Sequence, residues 1–96
     1  MLTPQYRAKL KSIAATMKDQ LSIGHNNLTD NVVEQIRLNL YAHELIKIKV
    51  QKGADNEPEE LAEMLCRKLN CETVAIIGSK ILLYKKTDKP KFTHLL

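Results

Sequence analysis

Apolar residues recur along this chain with two alternating periods, about 3.6 and about 2, so helices and strands are interleaved. Tyr6, Leu10, Ile13, Ala14 and Met17 fall at i, i+4, i+7, i+8 and i+11, the single stripe of an amphipathic helix. Thr3 is placed to cap it, and Pro4 suits the first helical position, where its missing N–H costs nothing. This helix is expected to end near Met17–Lys18. Gln20 to Ile23 alternates polar and apolar, a short strand, and Gly24-His25-Asn26-Asn27 follows as a loop of residues that tolerate positive φ. Thr29 then caps a second helix, with Asp30 in its first turn and Val32, Val33, Ile36 and Leu40 as its core face. His43 and Glu44 mark its exit.

Leu45 to Val50 is the clearest strand: Ile46, Ile48 and Val50 face one way, Lys47 and Lys49 the other. A turn around Gly53 leads to a third helix opened by Asn56, Glu57 and Pro58, with Leu61, Ala62, Leu65 and Leu69 facing the core. Thr73 to Ile77 and Ile81 to Tyr84 form a hairpin across Gly78-Ser79. Leu82 and Leu83 lie on opposite faces of the returning strand, so both of its sides are expected to be covered. The order α-β-α-β-α-β-β makes this an α/β chain: one four-stranded mixed sheet packed with three helices. The strand–helix–strand crossovers favour parallel pairings, and the hairpin is antiparallel. Residues 1–86 form the single expected domain, and 87–96 an extended tail, docked if at all by Phe92 or Leu95.

Charge adds direction to this picture. The excess of 15 Lys and Arg over 11 Asp and Glu is small, but it is segregated. Asp55, Glu57, Glu59, Glu60, Glu63 and Glu72 gather around the third helix, while both ends of the chain and the long strand are basic. Such a field suits a protein that meets a polyanion, but charge alone fits an ordinary solvated surface better. Two cysteines, Cys66 and Cys71, in a chain without a signal peptide read as reduced thiols in a cytoplasmic setting. No apolar run approaches a membrane span. The Cys and His residues lack the spacing of a zinc site, so neither metal nor cofactor is expected.

The candidate chemistry is that of phosphate contact. A loop feeding a helix N-terminus, as Gly24–Asn27 feeds the helix capped by Thr29, presents free backbone N–H groups to an anion; the same residues also fit a plain strand-to-helix turn. Lys47 and Lys49 share a strand face and suit neighbouring phosphates, or protection of a strand edge. Arg7 and Lys11 share a helix face; Lys80, Lys85 and Lys86 are further candidates, each a weaker one. His43 beside Glu44 lacks a third group for acid–base chemistry, and no nucleophile–base pair is visible, so no enzyme is expected. Four aromatic residues in all are too few for a base-stacking platform, which points to backbone rather than sequence recognition.

Four segments carry a resemblance, in order and across nearly the whole chain: Leu2-Thr3-Pro4-Gln5-Tyr6-Arg7, Ile23 to Thr29, Ala42 to Val50, and Ile76 to Tyr84. Together they resemble the YhbY-type members of the CRM family, the chloroplast RNA splicing and ribosome maturation domain. The resemblance implies a fold similar to the C-terminal domain of translation initiation factor three, RNA binding, and no catalysis. It also implies association with precursor large ribosomal subunits. Where the family's Gly-x-x-Gly loop ends in Gly, this chain has Asn27, the side chain best able to take a left-handed backbone. The expected RNA-contacting set is therefore Gly24, His25, Asn26, Asn27, Thr29, Lys47, Lys49, Arg7, Lys11 and Lys80. The chain is expected to act as a monomer, without membrane or small-molecule partner. The alternative is a protein–protein adaptor that docks basic proteins on its acidic third helix.

Overall fold

The computed structural model describes residues 2–24, 28–54 and 56–96. Its elements are α1 (Pro4–Ala14), β1 (Leu21–Ile23), α2 (Asp30–His43), β2 (Leu45–Val50), α3 (Pro58–Leu69), β3 (Glu72–Ile77) and β4 (Lys80–Tyr84). The sheet order is β1-β2-β4-β3, with β1 parallel to β2 and both other pairings antiparallel. The expected mixed sheet with three helices is therefore present. The crossover through α3 does not produce a parallel pair, because β4 inserts between β2 and β3. Leu82 and Leu83 fit this interior place: both are buried, on opposite faces of β4.

Each face of the sheet has its own core. Ile23, Ile46, Ile48, Val50, Ile81 and Leu83 pack against Ile36 and Leu40 of α2 and Leu61, Ala62, Leu65 and Leu69 of α3. On the other face, Leu45, Val74, Leu82 and Tyr84 pack against Leu10 and Ala14 of α1 and against Leu2. One helix cannot cover a whole sheet face. Leu45 and Tyr84 lie under α1, but the far end of that face, at Ser22, Lys49 and Ile77, remains exposed.

The caps follow the sequence. Thr3 Oγ1 accepts from Tyr6 N at 3.1 Å, Thr29 Oγ1 accepts from Val32 N at 3.2 Å, and Glu60 reaches back to the Glu57 amide at 3.2 Å. The end of α1 differs from expectation, stopping at Ala14 rather than near Met17–Lys18. Lys47 is the reason: its ammonium donates to the carbonyls of Ala14 and Met17, both at 3.1 Å. Gln20 then pairs with the Lys47 backbone in both directions, which turns the chain into β1.

The last residues fold back instead of trailing. Glu44 ends α2 at φ 65°, where helices usually place Gly, and its side chain is fully buried. Its carboxylate accepts from the amides of Thr87 at 2.9 Å and Leu95 at 3.1 Å and pairs with the His94 ring. Leu95 packs on the α1-side core, as expected, whereas Phe92 meets the His94 ring edge-on. Among the described residues no helix is long and apolar enough to cross a membrane.

Candidate nucleic-acid interface

Strand directions gather the candidate residues at one end of the sheet. Parallel β1 and β2 finish together there, the β3–β4 turn closes beside them, and α2 and α3 both begin there. Backbone bonds from Val50 N to Ser79 O at 2.7 Å and from Gln51 N to Ile23 O at 2.8 Å join the three strand ends into one rigid rim.

Gly24 follows β1 on this rim. Its backbone does not require positive φ, and a Cβ there would lie 3.4 Å from Gln51 Oε1, in contact without overlap. Folding therefore tolerates a small side chain at this position. Thr29 stands across the loop with its hydroxyl committed to the α2 cap, and Asp30 places a carboxylate in the same first turn. His25, Asn26 and Asn27 lie outside the described residues.

The register places Ser22, Lys49 and Lys80 in one row across β1, β2 and β4, on the sheet face that α1 leaves uncovered. Lys49 is exposed and has no ion-pair partner among the described residues. Lys80 is held 3.1 Å from Asp19 Oδ1, an exposed pair that fixes its direction more than it adds stability. Gln51 Nε2 donates to Ser22 Oγ at 3.2 Å, and exposed Lys52 continues the rim. Ser22, Gln51 and Lys52 were not among the residues singled out from sequence; the pairing register is the signal that finds them.

Other expected members are elsewhere. Lys47 shares the face of Lys49, but its ammonium serves as the C-terminal cap of α1 and does not project with its neighbour. Arg7 lies at the other end of the sheet. Its guanidinium donates to Thr73 O, and to Val74 O at 3.2 Å, the two carbonyls where β3 bulges against β4. It thereby gives carbonyls of an edge strand a charged donor at the bulge. Lys11, one turn along α1, is exposed.

The elements that carry the four aromatic residues also separate them from the rim. Tyr6 belongs to the start of α1, Tyr41 to the end of α2, Tyr84 to the end of β4, and Phe92 to the folded-back tail. Among the described residues the rim offers cations and backbone N–H groups and no aromatic ring. The acidic face of α3 is on the opposite side of the sheet from Lys49, although its first carboxylates, Glu57, Glu59 and Glu60, reach the same end.

Comparison with known proteins agrees with this architecture. The family model described as the CRS1 / YhbY (CRM) domain matches residues 2–85. A probable RNA-binding protein of Pseudomonas aeruginosa is 33% identical over 89 residues, which are 93% of this chain and 86% of the relative. A second probable RNA-binding protein, from Bacillus subtilis, is 32% identical over 95 residues, 99% of both chains. An RNA-binding protein of Haemophilus influenzae is 33% identical over 91 residues, 94% of this chain and 91% of the relative. The solution structure of a hypothetical protein from Staphylococcus aureus superposes with a TM-score of 0.79 at 33% identity, covering 95% of each chain. With the family model matched along most of its length and the fold shared, this chain belongs to the CRS1/YhbY (CRM) domain family.

Proposed function

We propose that this chain is a non-catalytic RNA-binding protein that grips the sugar-phosphate backbone of structured RNA with the rim around Gly24. The observation that carries the proposal is the convergence of exposed Lys49 and Lys52, the oriented Lys80 and the N-terminus of α2 on one end of the sheet, where no described residue is aromatic. Cations and amide donors recognise phosphates, whereas base readout needs rings or edge-directed hydrogen bonds. The names of the relatives from Pseudomonas, Bacillus and Haemophilus support RNA as the ligand.

Lys49, Lys52, Lys80 and the Gly24 loop are the contacts in this reading, with Lys11 at the margin. Lys47 and Arg7 act indirectly, by holding α1 and β3 in place. The CRM resemblance supports ribosomal RNA in precursor large subunits as the target, bound by a monomer in the cytoplasm. Sedimentation of cell extract on a sucrose gradient, before and after nuclease, tests this. Migration with large-subunit precursors, lost on nuclease treatment, is the expected result. Retention on a protein partner after nuclease overturns it in favour of an adaptor working through α3.

A further inference from the structure

The end of α3 carries a pair of thiols that the proposed RNA surface does not use. Cys66 lies in the last turn of α3, and Cys71 immediately precedes β3. Between them Asn70 takes a left-handed backbone, φ 55°, which ends the helix and turns the chain back on itself. The reversal brings the two Sγ atoms to 3.8 Å, with both thiols free. A disulfide has a sulfur–sulfur distance of about 2.05 Å, so the two sulfurs, already in van der Waals contact, are neighbours with a short gap left to close.

The two sulfurs are not equivalent. Cys66 is half-buried at the edge of the core and Cys71 is buried. Burial, with the adjacent Cys66 sulfur, pushes the Cys71 thiol up to about 12. Cys71 therefore stays protonated at neutral pH, and Cys66 is the sulfur that an oxidant reaches first. The Thr73 hydroxyl lies 3.2 Å from Cys66 Sγ, positioned to donate to a thiolate there.

We propose that Cys66 and Cys71 form an oxidative modification site whose substrate is a hydroperoxide and whose product is an intrachain disulfide. The Cys66 thiolate attacks one peroxide oxygen. The S–O bond forms, the O–O bond breaks, and the departing oxygen takes up a proton as water or an alcohol. Cys71 Sγ then attacks Cys66 Sγ of the sulfenic acid. The S–S bond forms, the S–O bond breaks, and the hydroxide leaves as water with the Cys71 proton. Two thiols lose two electrons and one peroxide gains them. The second sulfur, 3.8 Å away, is in place to close the disulfide on the sulfenic acid in competition with further oxidation to the sulfinic acid. The bond ties α3 to the start of β3, the strand that Arg7 braces from its other side.

The site is at the far end of the molecule from Gly24 and does not depend on the RNA reading. The test is treatment of the whole protein with hydrogen peroxide, followed by intact mass and a protease digest without reductant. The expected result is loss of two hydrogens and of both titratable thiols, with one peptide pair linked through Cys66 and Cys71 in a monomeric chain. Dithiothreitol should reverse it. In Cys71→Ser, dimedone should trap a sulfenic acid at Cys66 that it does not trap in the parent. Added oxygen on Cys66 with Cys71 left as a thiol, a disulfide between chains, or two unreacted thiols in the parent protein would each overturn the proposal.

Discussion

Two lysines two residues apart on one strand do different work, and their environments separate them. Lys47 is half-buried and completes the C-terminus of α1, where a cation satisfies carbonyls and opposes the negative end of the dipole. Lys47→Ala should lower stability by about 1 kcal/mol, read as a reduced denaturant midpoint, with RNA affinity nearly unchanged. Lys49→Ala should do the reverse. Glu44 is the second decisive residue. Burial raises the pKa of its carboxyl, but the amides of Thr87 and Leu95 and the His94 ring outweigh burial and hold it below the ordinary carboxylate range. Its folded value is thus lower than its unfolded one, so its contribution is complete above the unfolded pKa, about 4.3, and is lost as pH falls through the folded value. Thermal melts should be flat near neutrality and fall in acid. Glu44→Gln should flatten that acid dependence while costing about 2 kcal/mol near neutral pH, because the tail loses a charged acceptor. Sequence alternation assigned Lys47 to the correct face but carries no information on where a long side chain bends. Likewise, the buried role of Glu44 was invisible because its partners lie some 40 to 50 residues away.

At the scale of elements, the local patterns were the legible part. Capping residues, alternation in Leu45 to Val50 and the doublet Leu82-Leu83 all anticipated the elements and their coverage. What they did not supply was pairing order. A helix crossover makes β2 and β3 run in the same direction, but it does not say that β4 sits between them. The rim depends on that order, since Lys80 meets Lys49 only because β4 pairs with β2. The bulge in β3 is a further feature that no local pattern announced, and it gives Arg7 its place. Arg7→Ala should cost about 1 to 2 kcal/mol by leaving carbonyls of the edge strand without their donor. Faster amide hydrogen exchange confined to β3 would verify it. Gly24 offers a cleaner probe of the loop. Neither φ nor the wall formed by Gln51 demands glycine there, so Gly24→Ala should keep the parental melting temperature. Weaker RNA binding by this variant would then report how closely a phosphate approaches the backbone.

The whole molecule is organised as two ends. One gathers strand ends, helix N-termini and exposed lysines. The other holds the aromatic residues, the Glu44 clasp, the Arg7 brace and the thiol pair. A helix too short to cover its sheet face leaves the row at Ser22, Lys49 and Lys80 open, so the candidate interface is a consequence of the packing itself. Affinity carried by phosphate contacts falls steeply with salt, because each neutralised phosphate releases counterions. The most direct measurement is filter binding of a structured ribosomal RNA fragment across a salt series, comparing the parent with two double variants. Lys49→Ala with Lys52→Ala removes cations from the rim; Lys85→Ala with Lys86→Ala removes as many from the opposite end. The rim variant should lose about tenfold in affinity and its salt slope should shrink by roughly 1.5, with the other variant close to the parent. Equal losses in both variants, or loss only in the Lys85 and Lys86 variant, would contradict RNA binding by the rim.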